Sequence, residues 1–306
     1  MNNRKIYAFL ILLILFVSVS VAVWKNGENN FESNHVEELV LNSDFISQEE
    51  IQQIGKMQSL KKLSLLINDE NIDLSPLAKL INLEELEIQS CIGECYELDT
   101  HPLGELKSLK AISLMYCSFD TSFLEELSGL EKIFILKCDE IEDLSAFESL
   151  SKLQDLYIEY VNDSDLKYLH NLTKLEKIHI VGGNIRNFEG LKNMVCMKEV
   201  YLVESDYEKQ YLDMNILKEM AGLENILIAH ININDISPLS EMKNVEYISL
   251  INTGIEDIQP LTNLKKLKYL DIFGNNSELV EQQIEKYFAD VETVHISSEV
   301  PYPFSS

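Results

Sequence analysis

The amino-acid sequence predicts an α/β solenoid, in which short parallel strands stack side by side and the return segments lie on the opposite, convex side. Three observations support this prediction. An apolar trio recurs twelve times with one internal spacing, its last two members flank a polar or variable residue, and a second apolar series follows the strands. A single repeat cannot bury its own apolar face, so neighbouring repeats must stack to form one continuous core.

The apolar trio has the form apolar-x-x-apolar-x-apolar and defines the predicted strands. The alternation at its end is the two-residue period of a strand. Successive trios begin 21 to 26 residues apart, within the range of leucine-rich repeats. The sequence therefore predicts a leucine-rich-repeat horseshoe with a parallel concave sheet of about twelve short strands. The trios begin at Val36, Leu60, Leu83, Leu109, Leu130, Leu153, Leu175, Met197, Leu223, Val245, Leu267 and Val291.

The return segments carry apolar residues at three-residue spacing, as in the run from Ile233 to Met242. That spacing favours a 3₁₀ helix or a short α turn. The dipeptides Ser75-Pro76 and Ser237-Pro238 resemble a helix N-cap followed by proline at the first helical position. We therefore predict 3₁₀ or short α segments on the convex side, beginning at these serines.

The two ends of the stack need caps over their apolar residues. Residues 49–57 and 277–288 each have the spacing of an amphipathic helix, and the second is followed by a last strand. The residues expected to face the stack are Ile51, Ile54 and Met57 at the start, and Leu279, Val280, Ile284 and Phe288 at the end.

The chain divides into four segments by composition. Residues 1–24 are a signal peptide or membrane anchor, 25–33 a linker, 34–299 the leucine-rich-repeat domain with its terminal caps, and 300–306 a tail. The repeats run without a break, so we expect one elongated domain despite a length of 306 residues.

The amino-terminal segment has two interpretations. Arg4 and Lys5 precede eighteen mostly apolar residues, 6–23, which is close to the minimum for a transmembrane helix. The same stretch ends in Ser-Val-Ala, which would suit signal-peptide cleavage after Ala22. The basic amino end should stay in the cytoplasm in either case. We expect a single-pass membrane protein with its repeats on the extracytoplasmic side, or a secreted protein if Ala22 precedes a cleavage site.

The repeats resemble those of the internalin-type leucine-rich-repeat proteins. The resemblance covers roughly residues 34–298 and is carried by NIDLSPLAKLINLEELEI (71–88), NINDISPLSEMKNVEYISL (232–250) and NTGIEDIQPLTNLKKLKYLDI (252–272). Bacterial members of this class are surface or secreted binding proteins. The resemblance thus implies an exported binding protein, and it leaves the ligand open.

One column departs from that resemblance. Internalin-type repeats usually place Asn three residues after the last strand leucine, whereas this chain has Cys91, Cys117 and Cys138 there in three consecutive repeats. A disulfide could join Cys91 to Cys117, Cys117 to Cys138, or Cys91 to Cys95. The alternative is a buried ladder of unpaired, small apolar thiols. The total of five cysteines leaves at least one thiol unpaired within a monomer.

Aromatic side chains are concentrated on the predicted concave strands. Rings stand in the central concave position of four consecutive repeats, others flank them, and a second group lies near the carboxyl end. Exposed rings are frequent anchors of protein interfaces, although aromatic residues also favour strands for packing reasons alone. The predicted ligand-binding residues, expected to face solvent, are Phe134, Tyr157, His179, Tyr201, Tyr116, Tyr160, Tyr247 and Tyr269.

Composition and motifs limit the function. A net charge of −26 lacks the basic footprint of nucleic-acid binding, so membrane contact is expected through the amino-terminal segment only. No H-x-x-x-H, G-x-S-x-G or glycine-rich phosphate loop occurs, and we predict no catalysis, metal or cofactor. The predicted function is an exported module that captures a protein on its concave face, a glycan being the second candidate ligand. The alternatives are a secreted adhesin or effector, and a regulator or scaffold of an enzyme complex.

Overall fold

Twelve strands form one parallel sheet along the described chain. The computed structural model describes residues 36–41, 45–90, 96–138, 141–162, 165–204, 211–275, 277–288, 291 and 293–297. Within them the strands are β1 (Glu38–Leu41), β2 (Lys62–Ile67), β3 (Glu85–Ser90), β4 (Tyr96–Leu98), β5 (Ala111–Met115), β6 (Cys117–Phe119), β7 (Lys132–Leu136), β8 (Asp155–Val161), β9 (Lys177–Gly183), β10 (Glu199–Val203), β11 (Asn225–Ala229), β12 (Tyr247–Ile251), β13 (Tyr269–Phe273) and β14 (Thr293–Ser297). The large sheet follows chain order and omits only β4 and β6, which pair with each other.

Helical segments return the chain between strands. The α-helices among the described residues are α1 (Gln48–Ile54) and α2 (Ser277–Tyr287). The 3₁₀ helices are Ser75–Lys79, His101–Glu105, Thr121–Glu126, Ser145–Ser149, Leu166–Leu169, Glu189–Leu191, Met214–Leu217, Ser237–Glu241 and Gln259–Asn263. The prediction of a parallel sheet backed by short helical segments is confirmed.

The core lies between the sheet and these return segments. From β2 to β13 the strand residues that alternate with the concave ones are almost fully buried, as are the Leu, Ile, Phe and Met side chains of the 3₁₀ helices. Each fully buried Leu or Ile contributes about 1.5–3 kcal/mol relative to an exposed side chain. Strand pairing is in register, so that Ile178, Val200 and Ile226 lie side by side in one column. Equivalent positions of every repeat therefore form columns across the sheet.

The caps of the 3₁₀ helices differ from the prediction. Ser75 lies inside its helix, and the carboxylate of Asp73 accepts hydrogen bonds from the Ser75 amide (2.8 Å) and hydroxyl (2.9 Å). Asp235 binds Ser237 in the same way, at 2.7 Å for both contacts. The hydrogen bonds from Ser75 lower the pKa of Asp73. The helices begin at these serines, but the predicted serine caps are wrong, because each serine donates to the aspartate two residues earlier instead of accepting a hydrogen bond from the helix.

The terminal helices cover the ends of the core largely as expected. In α1, Ile51 and Ile54 are buried, and Met57 is buried just after the helix. Ser47 caps α1 through a reciprocal pair of hydrogen bonds with Glu50. In α2 and the residue after it, the predicted apolar face is buried with one exception, because Leu279 is 42% exposed. The buried residues of that face are Val280, Ile284 and Phe288.

The cysteine column reproduces the hydrogen bonding of an asparagine. The Asn275 amide donates to the carbonyls of Leu250 and Phe273, each at 3.0 Å. The Cys138 thiol points at the equivalent carbonyls of its own part of the sheet, those of Leu114 at 3.4 Å and Leu136 at 3.5 Å. Asn275 and Cys138 each bond the residue two positions back and the preceding repeat. A thiol is a weak donor, so Cys138 preserves the direction of the bonds at lower strength.

The structure describes three of the five cysteines, two of them in the cysteine column. Cys117 and Cys138 are buried, with their Sγ atoms 3.9 Å apart. This geometry agrees with a ladder of small buried thiols at these two positions. Cys196, which the sequence placed beside a core methionine, is exposed. Cys91 and Cys95 lie outside the described residues, as does the predicted signal or anchor segment 1–24.

Within the described ranges, no helix is both long and apolar enough to cross a membrane.

Candidate functional site

The concave face consists of three columns of side chains. Because side chains alternate along a strand, each strand of the large sheet from β2 to β13 sends three residues to this face. In β8 they are Asp155 in the first column, Tyr157 in the central column and Glu159 in the third column. The pairing register aligns them with Lys177, His179 and Val181 of β9, and the other strands continue the columns.

The structure brings the four central rings predicted from the sequence into one stack. Phe134 and Tyr157 stack at 4.5 Å between ring centroids, and Tyr157 meets His179 edge-on at 5.8 Å. His179 and Tyr201 lie nearly parallel, 4.2 Å apart and inclined by 12°. We call Phe134, Tyr157, His179 and Tyr201 the ring stack. These residues belong to successive strands, so parallel pairing alone places them together.

The expected exposure of the ring stack is only partly correct. Phe134 and Tyr157 are half-buried, whereas His179 is 3% and Tyr201 7% exposed. Parallel strands are about 4.8 Å apart, so rings in one column cover each other's faces. The prediction that all four face solvent is therefore wrong for His179 and Tyr201.

Next to the ring stack lies a buried carboxylate that sequence reasoning missed. Glu159 is 7% exposed. Its carboxylate accepts hydrogen bonds from the Tyr157 hydroxyl at 2.8 Å and from the Lys137 backbone amide at 3.2 Å. Burial, followed by the charge of Glu159, raises the pKa of the Tyr157 hydroxyl. The available signal was positional: Glu159 is the one charged residue in the third column of the described strands.

A row of side chains at the carboxyl ends of the strands borders this carboxylate. Tyr116, Lys137 and Tyr160 occupy equivalent positions after β5, β7 and within the end of β8, with φ of 58°, 53° and 59°. A left-handed conformation costs about 1–2 kcal/mol for a residue other than glycine. The equivalent residue of β9 is Gly182, where a Cβ would lie 3.2 Å from the Tyr160 ring. Glycine therefore lets Tyr160 lie flat over the next strand.

Lys137 places its own ammonium group beside Tyr160 and Glu159. The Nζ atom lies 5.3 Å from the centroid of the Tyr160 ring and 3.2 Å from its hydroxyl. The same Nζ is 3.7 Å from the Glu159 carboxylate. Tyr160 itself is 39% exposed, so this arrangement opens to solvent.

An ion pair lies at the covered end of the ring stack. The His179 Nε2 atom is 3.5 Å from the Glu199 carboxylate, which Lys177 also approaches at 3.1 Å. Burial acts to raise the pKa of Glu199. The nearby His179 ring and the charge of Lys177 together outweigh burial and hold the pKa of Glu199 below its ordinary value.

The predicted carboxyl-terminal residues form a separate group. The Tyr247 hydroxyl donates to Asp271 at 3.0 Å, and Asp271 is 3% exposed. Tyr269 is 39% exposed, with its ring centroid 6.3 Å from that of Tyr247. Burial, followed by the charge of Asp271, raises the pKa of Tyr247. Tyr269 is thus the open aromatic of this group.

From β10 to β13 part of the concave face is closed by apolar side chains packed on one another. We call this set the closed cluster. Every member is less than 10% exposed, although all belong to concave columns. Its members are Tyr201, Leu227, Ala229, Ile251 and Phe273.

The concave face combines aromatic rings with paired polar groups. No group of three or more His, Cys, Asp or Glu side chains in the described residues could hold a metal ion. The polar groups are instead paired inside the surface, as in Tyr157 with Glu159 and Tyr247 with Asp271. The rings and the pairs are held in place by neighbouring strands.

The fold defines the class of protein: the chain is a leucine-rich-repeat solenoid of internalin-like architecture. An internalin from Listeria monocytogenes superposes with a TM-score of 0.58 at 21% identity, covering 74% of this chain and 70% of that one. A leucine-rich-repeat protein from Leptospira interrogans gives a TM-score of 0.54 at 17% identity, covering 73% of this chain and 63% of its own.

A plant receptor shares the same architecture. The leucine-rich-repeat ectodomain of the Arabidopsis receptor kinase HAESA, in complex with a peptide hormone, gives a TM-score of 0.56 at 20% identity. The match covers 66% of this chain and 36% of that ectodomain. These identities establish the fold alone. No family model matches the sequence, and no curated protein matches it either.

Proposed function

We propose that this chain is an exported, membrane-tethered, non-catalytic protein that captures a protein partner on its concave face. The binding region comprises β7 to β9, which we call the open section, where Phe134, Tyr157 and Tyr160 are accessible to a partner. The observation that carries the proposal is the combination of accessible rings with the buried Glu159 carboxylate on one surface. Partly exposed aromatic side chains with satisfied polar neighbours are the usual anchors of protein interfaces.

Pre-organisation supports a binding role. Phe134 is fixed by its stack on Tyr157, and Tyr160 lies over Gly182. A partner that binds here immobilises few additional side chains, so less conformational entropy opposes association. The backbone strain at Tyr160 points in the same direction, because unfavourable conformations concentrate at functional sites.

A protein ligand fits this face better than a glycan. Sugar stacking requires a free aromatic face, and the faces of His179 and Tyr201 are covered by each other. Phe134 also has one face covered by Tyr157. The open section offers ring edges, a hydroxyl and a carboxylate together, which suits the mixed side chains of a polypeptide.

The test compares capture of envelope proteins by matched variants of the full chain. Replacing Phe134 and Tyr160 by Ser should remove one specific captured species while thermal melting stays close to that of the parent. The control replaces Phe45 and Tyr211 by Ser, because these rings are 48% and 53% exposed and lie away from the concave strands. Equal capture by both double variants would refute a role for the concave face.

The membrane tether has its own test. Mass spectrometry of the native protein should show an intact segment 1–24. A mature amino terminus at Val23 would replace the tether by secretion, which is the adhesin or effector alternative.

A further inference from the structure

Glu159 has unfilled capacity for a cationic ligand. A carboxylate offers about four lone-pair positions, and the Tyr157 hydroxyl and the Lys137 amide supply two hydrogen bonds. The Lys137 ammonium is 3.7 Å from the nearer carboxylate oxygen, within ion-pair distance and beyond the length of a good hydrogen bond. Glu159 is therefore a buried negative charge with a weak, movable cationic neighbour.

The rings around this carboxylate suit a positive charge as well. Lys137 Nζ lies over the Tyr160 ring at 5.3 Å, within the range of a cation–π contact. The Lys137 side chain is 47% exposed, so the ammonium can leave without disturbing the core. The position of Lys137 thus shows that an ammonium group can lie between the Tyr160 ring and the Glu159 carboxylate.

The surroundings favour a side chain carried by a polypeptide over a free ion. Apolar residues of the third column lie on both sides of Glu159: Leu136 is buried in β7, and Val181 is partly exposed in β9. A free inorganic cation gains nothing from them, whereas the aliphatic stem of Lys or Arg can pack there. The net charge of −26 additionally attracts a basic partner.

We propose that Glu159, with the rings of Tyr157 and Tyr160, forms a receptor for one lysine or arginine side chain of a basic protein partner, which displaces the Lys137 ammonium. This cation site rests on the proposed function, since it specifies the partner of the same concave surface. In the free protein the positive charge of Lys137 compensates the negative charge of the Glu159 carboxylate. On binding, the partner's cation replaces it, and the Lys137 side chain turns to solvent.

The probes are labelled pentapeptides Ala-Leu-X-Leu-Ala, where X is arginine, lysine, citrulline or glutamate. Citrulline has the shape of arginine without the charge. Fluorescence anisotropy with the full chain should show the arginine and lysine peptides binding about tenfold more tightly than the citrulline peptide, as a charge-assisted contact predicts. Equal affinity for arginine and citrulline peptides would overturn the cation site.

Matched variants separate this site from general attraction to an acidic protein. Glu159→Gln should abolish the preference for arginine over citrulline, whereas Glu246→Gln, which removes a partly exposed charge paired with Lys268 just before β12, should preserve it. If both variants lose the preference equally, attraction is general and the proposal fails. Tyr160→Asn provides a second variant that tolerates positive φ and leaves the buried carboxylate intact; it should weaken the arginine peptide severalfold.

The displacement of Lys137 is tested by removing it. Lys137→Gly fits the positive φ of this position and should tighten binding of the arginine peptide severalfold. Lys152→Ala, which removes one positive charge outside the concave strands, should change it much less. Unchanged affinity in Lys137→Gly would overturn the exchange.

The outcome is separable from that of the proposed function. If Glu159→Gln retains capture of the envelope partner while the Phe134 and Tyr160 double variant loses it, the concave interface stands and the cation site falls.

Discussion

The open section around Glu159 and the closed cluster around Ile251 have the same backbone and opposite surfaces. Both consist of in-register parallel strands that send three residues to the concave face. In the closed cluster the third column contains Ala229, Ile251 and Phe273, each less than 10% exposed. In the open section the same column contains Glu159, and Tyr160 beside it is 39% exposed.

The difference teaches that strand geometry alone does not make a leucine-rich-repeat face a binding face. Side chains of neighbouring strands are close enough to cover one another when all are apolar. Around Glu159, in contrast, the Tyr157 hydroxyl and the Lys137 ammonium face the buried carboxylate instead of packing on apolar neighbours, and Tyr157 and Tyr160 stay partly exposed. The closed cluster should therefore contribute mainly stability, and the open section mainly binding.

The largest expected effect is truncation inside the closed cluster. Ile251→Ala should lower the free energy of unfolding by about 2–5 kcal/mol, because it leaves a cavity in a packed region. Phe134→Ala in the open section should cost less, since its side chain is already half-buried. Denaturant midpoints of the two variants check this order, and a larger loss for Phe134→Ala would break the comparison.

Removing the tyrosine hydroxyl from either tyrosine–carboxylate pair should have an intermediate effect on stability, and the two variants sharpen the comparison. Tyr157→Phe and Tyr247→Phe each leave a buried carboxylate short of one hydrogen bond, at a cost of about 1–3 kcal/mol. Because both carboxylates are buried, the two losses in thermal stability should be similar. The variants should differ in peptide binding, where only Tyr157→Phe alters the site. Weaker binding of the arginine peptide by Tyr247→Phe would contradict the separation between the open section and the Tyr247 group.

The smallest expected effect is on stability at low pH, and it comes from Glu199 at the border between the two regions. The pKa of Glu199 is lowered from its ordinary value of 4.5 by His179 and Lys177, against the opposing effect of burial. Folding therefore favours the ionised carboxylate, and this stabilisation is present above pH 4.5 and is lost as the pH falls through the lower folded value. Glu199→Gln should show a smaller loss of melting temperature between pH 7 and pH 3 than the parent. An unchanged acid response would exclude this linkage.

The repeats, the sheet and the core were predictable from the sequence, whereas the helix caps and the exposure of concave side chains were predicted less well. The alternation at trios such as Leu175-Ile178-Ile180 indicated the strands, and all three residues are buried. The serine caps failed because the hydroxyls of Ser75 and Ser237 donate to Asp73 and Asp235 instead of capping helix amides. Both aspartates stand at a fixed distance before Ser-Pro, so this signal was present in the sequence and was not used.

Some of the candidate site residues were also predictable from the sequence. Phe134, Tyr157 and Tyr160 were predicted from their columns and are accessible to a partner. His179 and Tyr201 were also predicted as members of this row of rings, but their burial was not predicted. Burial depends on how far neighbouring rings tilt over one another, which no spacing along the chain encodes.

By itself the sequence determined the solenoid, because the period of its apolar residues allows one way to bury them: strand beside strand. Only the tertiary structure decided which part of the concave face stays open. The contacts that decide it, such as Lys137 with Glu159 and Tyr157 with His179, join residues 22 apart in the chain. Such contacts depend on side-chain rotamers and the curvature of the sheet, so they arise only after the strands have come together.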